Sequence, residues 1–206
     1  MNEPLGDLFT GHERREMLRR FVSIHNGPQS SVELRYRLAC HCRFWLHQAT
    51  GIEPLVNYGT LLGAIRDRDL IPWDRDVDLV LHPQARAQVA EALRRRDYGG
   101  LDLIRVEEYL ISFTAPYAPG EYVDVHPYYA FPAAPDVYQL LVTRNATCDV
   151  MRADMDSPAT CTIRGETWAC PARPEHYLEL SYGAGWRDPV VWKREPLTWD
   201  VDKLYR

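Results

Sequence analysis

Lysine is nearly missing from these 206 residues: only Lys193 and Lys203 contribute to the 24 basic side chains, and the rest are arginine. No stretch approaches the roughly 18–20 consecutive apolar residues that would cross a bilayer, so stable membrane insertion is not expected. Cysteine is sparse and odd in number, five in all. The opening MNEPLGDLFTGHERRE carries no apolar leader. Together these argue against a disulfide framework and for a reducing, cytoplasmic setting. A formal charge of −5 excludes a global basic field, so no nucleic-acid partner is expected. A small polyanionic substrate would then need arginine or a metal concentrated locally.

The chain is long enough to bury a core without staples. Residues 1–29 read as a short helix around Arg14–Val22 followed by a loop, and residues 30–206 as a single domain. Ser30 or Ser31 caps a helix over about Val32–Thr50, with Leu34, Leu38, Cys42 and Trp45 on one face. IEPLVNYG reads as a strand stopping at Gly59, TLLGAIRD as a short helix, RDVDLVLH as a strand, and PQARAQVAEALRRRD as a helix. LDLIRVEEYLISFTAPY follows as a strand pair, and EYVDVHPYYAF as a strand ending near Pro127. The pattern weakens into loops and a helix between Pro132 and Pro158. A hairpin then turns at Arg164-Gly165, and RPEHYLELSYG forms a closing helix. Strands mixed with helices predict an α/β (α+β) domain, a mixed sheet flanked by helices with a C-terminal hairpin and helix.

The segment from Tyr58 to His82 sets this chain apart. Asp74, Asp76 and Asp78 alternate into apolar Leu79-Val80-Leu81, so an extended strand would line one side with three carboxylates while Val77 and Leu79 pack inward. Such acids resist ionising together unless a divalent cation sits among them, and Mg²⁺ or Mn²⁺ suits carboxylate oxygen. Just upstream, a strand handing over to a helix at Gly59-Thr60 offers free amides and a positive dipole end to a phosphate. The same acids could instead pair with Arg66, Arg68 and Arg75, as in an exposed loop. The glycine–hydroxyl turn followed by acids entering an apolar strand favours phosphoryl or nucleotidyl transfer.

These residues resemble the LicD family of phosphotransferases, which includes fukutin and fukutin-related protein within the DNA polymerase β-like nucleotidyltransferase superfamily. NYGTLLGAIRDRDLIPWDRDVDLVL follows the family's run, and YLELSYGAGWRDP, Tyr177 to Pro189, resembles its C-terminal Tyr-Gly-x-x-Trp-x-x-Pro element. YVDVHPY lies between them and carries His126 where the family more often has an aromatic residue. The resemblance implies a nucleotidyltransferase-like fold in which Asp76, Asp78 and Asp124 are catalytic and hold Mg²⁺ or Mn²⁺. It implies substrate contacts from Gly59, Thr60, Arg66 and Asp74. The implied reaction moves a phospho-alcohol, such as phosphocholine or ribitol or glycerol phosphate, from a CDP-linked donor to a sugar hydroxyl of a glycan or its precursor. The alternatives are a nucleotidyltransferase using ATP or CTP, and a catalytically silent domain that binds a nucleotide or partner. Tyr122, Tyr128, Tyr129 and Trp168 are read mostly as core, with stacking on a base or enclosure of a quaternary ammonium as the functional option. The cysteines are read as packed thiols.

Overall fold

A computed structural model describes residues 4–130, 135–143, 146–190, 196–199 and 201. Two long helices come first. Thr10 and Glu13 form a reciprocal capping box that starts α1 (Gly11–Asn26). Ser31 accepts from the Leu34 amide to start α2 (Val32–Thr50), which ends at Gly51 in the left-handed region, φ 71°. The α2 bounds match the sequence expectation, whereas α1 starts before the expected Arg14–Val22 because its cap, Thr10, lies upstream, and it continues past Val22 to Asn26.

A seven-stranded mixed sheet forms the centre, comprising β1 (Leu55–Val56), β2 (Asp76–Leu81), β3 (Asp102–Val106), β4 (Ile111–Thr114), β5 (Tyr122–Ala130), β6 (Val137–Thr143) and β7 (Ala146–Met151). The order β1-β2-β5-β4-β3 places β2 and β5 side by side and parallel, and β6 and β7 extend from the far end of β5. Helices α3 (Tyr58–Arg66), α4 (Arg86–Arg94), α5 (Arg152–Asp156) and α6 (Pro174–Tyr182) flank it, and β8 (Ala159–Ile163) pairs with β9 (Glu166–Cys170). The β8–β9 turn at Arg164 (φ 53°) and Gly165 (φ 83°) is where the sequence puts it.

The sheet has two unlike faces. Val77, Leu79, Phe113, Val123 and Val125 are all fully buried, and Trp45 of α2 meets Phe113 edge-on at 4.9 Å. On the other face, Phe21 of α1 stands edge-on to Tyr122 at 5.1 Å within a small cluster that includes Leu18 and Ile104. Since Asp124 and His126 follow Tyr122 at alternate positions, the acidic face is the one that α1 only partly covers.

Several expectations are corrected. The strand before Gly59 is only Leu55–Val56, and α3 already begins at Tyr58, so Gly59 lies in a first helical turn rather than before one. Strand β5 does not end near Pro127 but continues to Ala130. It changes neighbour there: Pro127 is the last partner of β2, and Tyr128 the first partner of β6. The stretch read as loops and a helix holds the β6–β7 hairpin and short α5, which depend on long-range pairing with the end of β5. Tyr122, Tyr128 and Trp168, in contrast, are core as expected, each 1% exposed, and so are unavailable to stack on a base or enclose an ammonium.

Leu79 sits between the strand's acids and the main core. Leu79→Ala is expected to cost about 2–5 kcal/mol, read by urea unfolding. A loss under about 1 kcal/mol would mean that this strand is not buried as described.

Candidate functional site

The parallel register of β2 and β5 aligns Asp76 with Tyr122 and Asp78 with Asp124. Two carboxylates therefore stand opposite each other on one face of adjacent strands. Donor atoms of Asp78, Asp124 and His126 all lie within 4.8 Å of one another. The Ser112 hydroxyl of β4 donates to Asp124 Oδ1 at 2.5 Å, and His126 Nε2 lies 3.1 Å from Asp78 Oδ1. Tyr58, at φ 42°, presents its ring edge-on to His126 at 5.2 Å.

Burial, then the charge of Asp76, pushes the Asp124 carboxyl up to about 7. Burial also lowers the His126 imidazole below its ordinary range. A buried carboxyl under this pressure from like charge is what a divalent cation relieves, and oxygen donors with one imidazole suit a hard to borderline ion. The residues present therefore fit the metal that the acidic pattern implies.

Asp74 does not share the strand. It lies in the loop before β2, where its Oδ1 accepts from the Arg75 amide at 3.0 Å. Its carboxylate faces α3: a Cβ built on Gly59 would meet Asp74 Oδ2 at 2.5 Å and come within 4.0 Å of Asp78 Oδ2. Any larger residue at 59 would push the Asp74 carboxylate aside, so glycine permits this close approach of the helix backbone. The helical ladder of α3 starts with the Leu61 amide donating to Asn57 O at 2.9 Å, so the first-turn amides of Gly59 and Thr60 precede it. Thr60 itself is buried, and its hydroxyl accepts from the Asp78 amide at 2.8 Å. That bond fixes α3 to β2.

Arg66 lies farther along α3, where Nε and Nη2 grip Asp67 at 2.9 and 2.7 Å. It lines a cavity of about 330 Å³ together with Gly59, Asp74, Trp73, Tyr182 and Trp186. Trp186 is buried while Trp73 and Tyr182 stay partly exposed, so the two tryptophans are cavity wall as well as loop packing. Burial and the negative charge of Asp78 and Asp74 raise the Tyr182 phenol. This hydroxyl thus sits in the field of the acids, although α6 is distant from them in sequence.

The loop carrying Trp73 and Asp74 is clamped from beneath. Arg35 of α2 is fully buried, donates from Nη2 to Ile71 O at 3.0 Å, and holds Nε 3.7 Å from Glu121 Oε2, immediately before β5. Arg75 donates to His25 O at 2.8 Å and to Gly27 O. A Cβ on Gly63 would strike Asp69 O at 2.4 Å, so this glycine admits the loop against α3. Sequence reasoning left out Arg35, Ser112, Tyr58 and Tyr182. Of these, Tyr58 and Tyr182 lie inside the stretches singled out by pattern, and Ser112 and Arg35 carry no local signal.

Residues 51–138 match the family model described as LicD/FKTN/FKRP, nucleotidyltransferase domain. The match includes Gly59, the acids of β2 and Asp124, and ends before Tyr177–Pro189. No curated protein matches the chain. Among solved structures, a lincosamide antibiotic adenylyltransferase bound to lincomycin is similar, with 11% identity, a TM-score of 0.47, and coverage of 77% of this chain and 89% of that one.

Because the folded Asp124 carboxyl titrates near 7 and an unfolded aspartate near 4, the folded chain holds more protons between those values. Its contribution to stability therefore falls as pH rises through that window. Asp124→Asn, which stays neutral, is expected to melt several degrees above the native protein in EDTA at pH 8, with the difference shrinking towards pH 4. A variant that melts lower at pH 8 would contradict the crowding of acids described here.

Proposed function

We propose that the chain, whose residues 51–138 match the LicD/FKTN/FKRP nucleotidyltransferase domain model, is a metal-dependent phosphotransferase moving a phospho-alcohol from a CDP-linked donor to a sugar hydroxyl. The observation that carries this is the opposition of Asp78 and Asp124 on neighbouring parallel strands, beside the Gly59 amide and the open cavity. Asp76, Asp78 and Asp124 hold Mg²⁺ or Mn²⁺ in this reading. Such a cation, held by these carboxylates, would supply positive charge that offsets the charge developing on the departing group.

The chain's own residues do the rest. First-turn amides of α3 receive phosphate oxygens, and Gly59 allows the approach. Arg66, tied to Asp67, borders the organic part of a substrate in the cavity. Asp124, opposite Asp78 on the neighbouring strand, takes the proton from the attacking sugar hydroxyl. The hydroxyl oxygen bonds to the phosphorus bearing the alcohol, the bond to the bridging oxygen breaks, and CMP leaves. A nucleotidyltransferase would use the same acids at the α-phosphorus of ATP or CTP, releasing pyrophosphate.

Ligands that bind only the folded chain raise its melting temperature by mass action. With Mg²⁺ or Mn²⁺ present, CDP-choline, CDP-ribitol or CDP-glycerol is expected to stabilise the native protein more than CDP, CTP or ATP, with no such effect in Asp76→Asn. If ATP or CTP stabilises most, the nucleotidyltransferase reading replaces this one. Absence of any shift, with or without metal, would leave a non-catalytic binding domain.

A further inference from the structure

The resemblance and the pattern of acids point to an all-carboxylate metal site, but the atoms that converge are not all oxygen. His126 Nε2 stands 3.1 Å from Asp78 Oδ1, and both belong with Asp124 to the set of donors lying within 4.8 Å of one another. Two neighbouring ligands on an octahedral ion with bonds of about 2.1 Å are separated by about 3 Å. The His126–Asp78 spacing has that value. The ring is also held in place: it follows Asp124 by two residues on β5, so it faces the same way, and the Tyr58 ring packs edge-on against it at 5.2 Å.

Taking the acids as a metal site, as the proposed function does, we infer that His126 Nε2 is a ligand beside Asp78 and Asp124. We infer further that this makes the site prefer Mn²⁺ or Co²⁺ over Mg²⁺. Imidazole is a borderline donor that Mg²⁺ binds poorly and later first-row ions bind well, whereas carboxylates alone discriminate less. Ligation places the imidazole proton on Nδ1 and gives the Nε2 lone pair to the ion. The competing role for His126 is to donate a hydrogen bond to Asp78 and orient that carboxylate without touching the ion.

The two roles separate in the metal-free full chain titrated with Mg²⁺, Mn²⁺ and Co²⁺ by calorimetry, with pulsed EPR of the Mn²⁺-loaded protein. Native protein is expected to bind Mn²⁺ at least about tenfold more tightly than Mg²⁺ and to show ¹⁴N modulation from the imidazole. His126→Phe, the aromatic choice of the resembling family, should lose that modulation and most of the preference while keeping Mg²⁺ affinity within about threefold. His126→Asp should retain binding with the preference flattened. Should His126→Phe fail to fold, His126→Gln carries the same comparison. Bound Mn²⁺ without ¹⁴N modulation, or an undiminished preference in the variants, overturns the ligand assignment and leaves the site reading intact. If no ion binds the native chain, both fall together.

Discussion

Like charge held at close range in a buried place is the constraint around which this molecule is arranged. Asp78 and Asp124 face each other because β2 and β5 run parallel and in register, and Asp76 adds its field to theirs. Left to themselves such groups favour a proton or an expanded site. The fold instead fixes them from three directions: Ser112 from β4, His126 from β5 and Thr60 from α3. That geometry costs stability for as long as the carboxylates are ionised and uncompensated.

The supports explain why residues far from the acids matter. Arg35 and Glu121 are both fully buried, and their pairing joins the start of α2, the Ile71–Pro72 carbonyls and the approach to β5. A buried pair of this kind is poor as a source of net stability but effective at specifying one arrangement. Here it registers the entries of both acid-bearing strands. Arg75 adds the link from the same loop to the end of α1, so a helix that contributes none of the acids still sets where they lie.

Much of this was legible from the chain alone. Periodicity and Ser31 mark α2 from end to end, and Arg164-Gly165 marks the β8–β9 turn, because each signal is local. The alternating acids of β2, and Asp124 on a strand of the same alternation, were also readable. What escaped depends on neighbours distant in sequence. Asp74 stays out of the strand in a turn closed by the hydrogen bond its amide donates to Ile71 O; Ser112 matters only once β4 lies beside β5; and Tyr182 enters the field of the acids only when α6 folds back onto α3. The β6–β7 hairpin was missed for the same reason, since its partner is the far end of β5. The resemblance ran further than the family match, which stops at residue 138, while the Tyr182–Trp186 side of the cavity lies beyond it.

Calorimetric titration of Mn²⁺ into the metal-free chain, in the presence of CDP and beside Asp78→Asn, tests the central claim that the acids are a cation site serving phosphate chemistry. The account predicts saturable binding by the native protein, strengthened by CDP, with loss of both in a variant that still folds. Equal binding by native protein and Asp78→Asn, or binding indifferent to CDP, would contradict it.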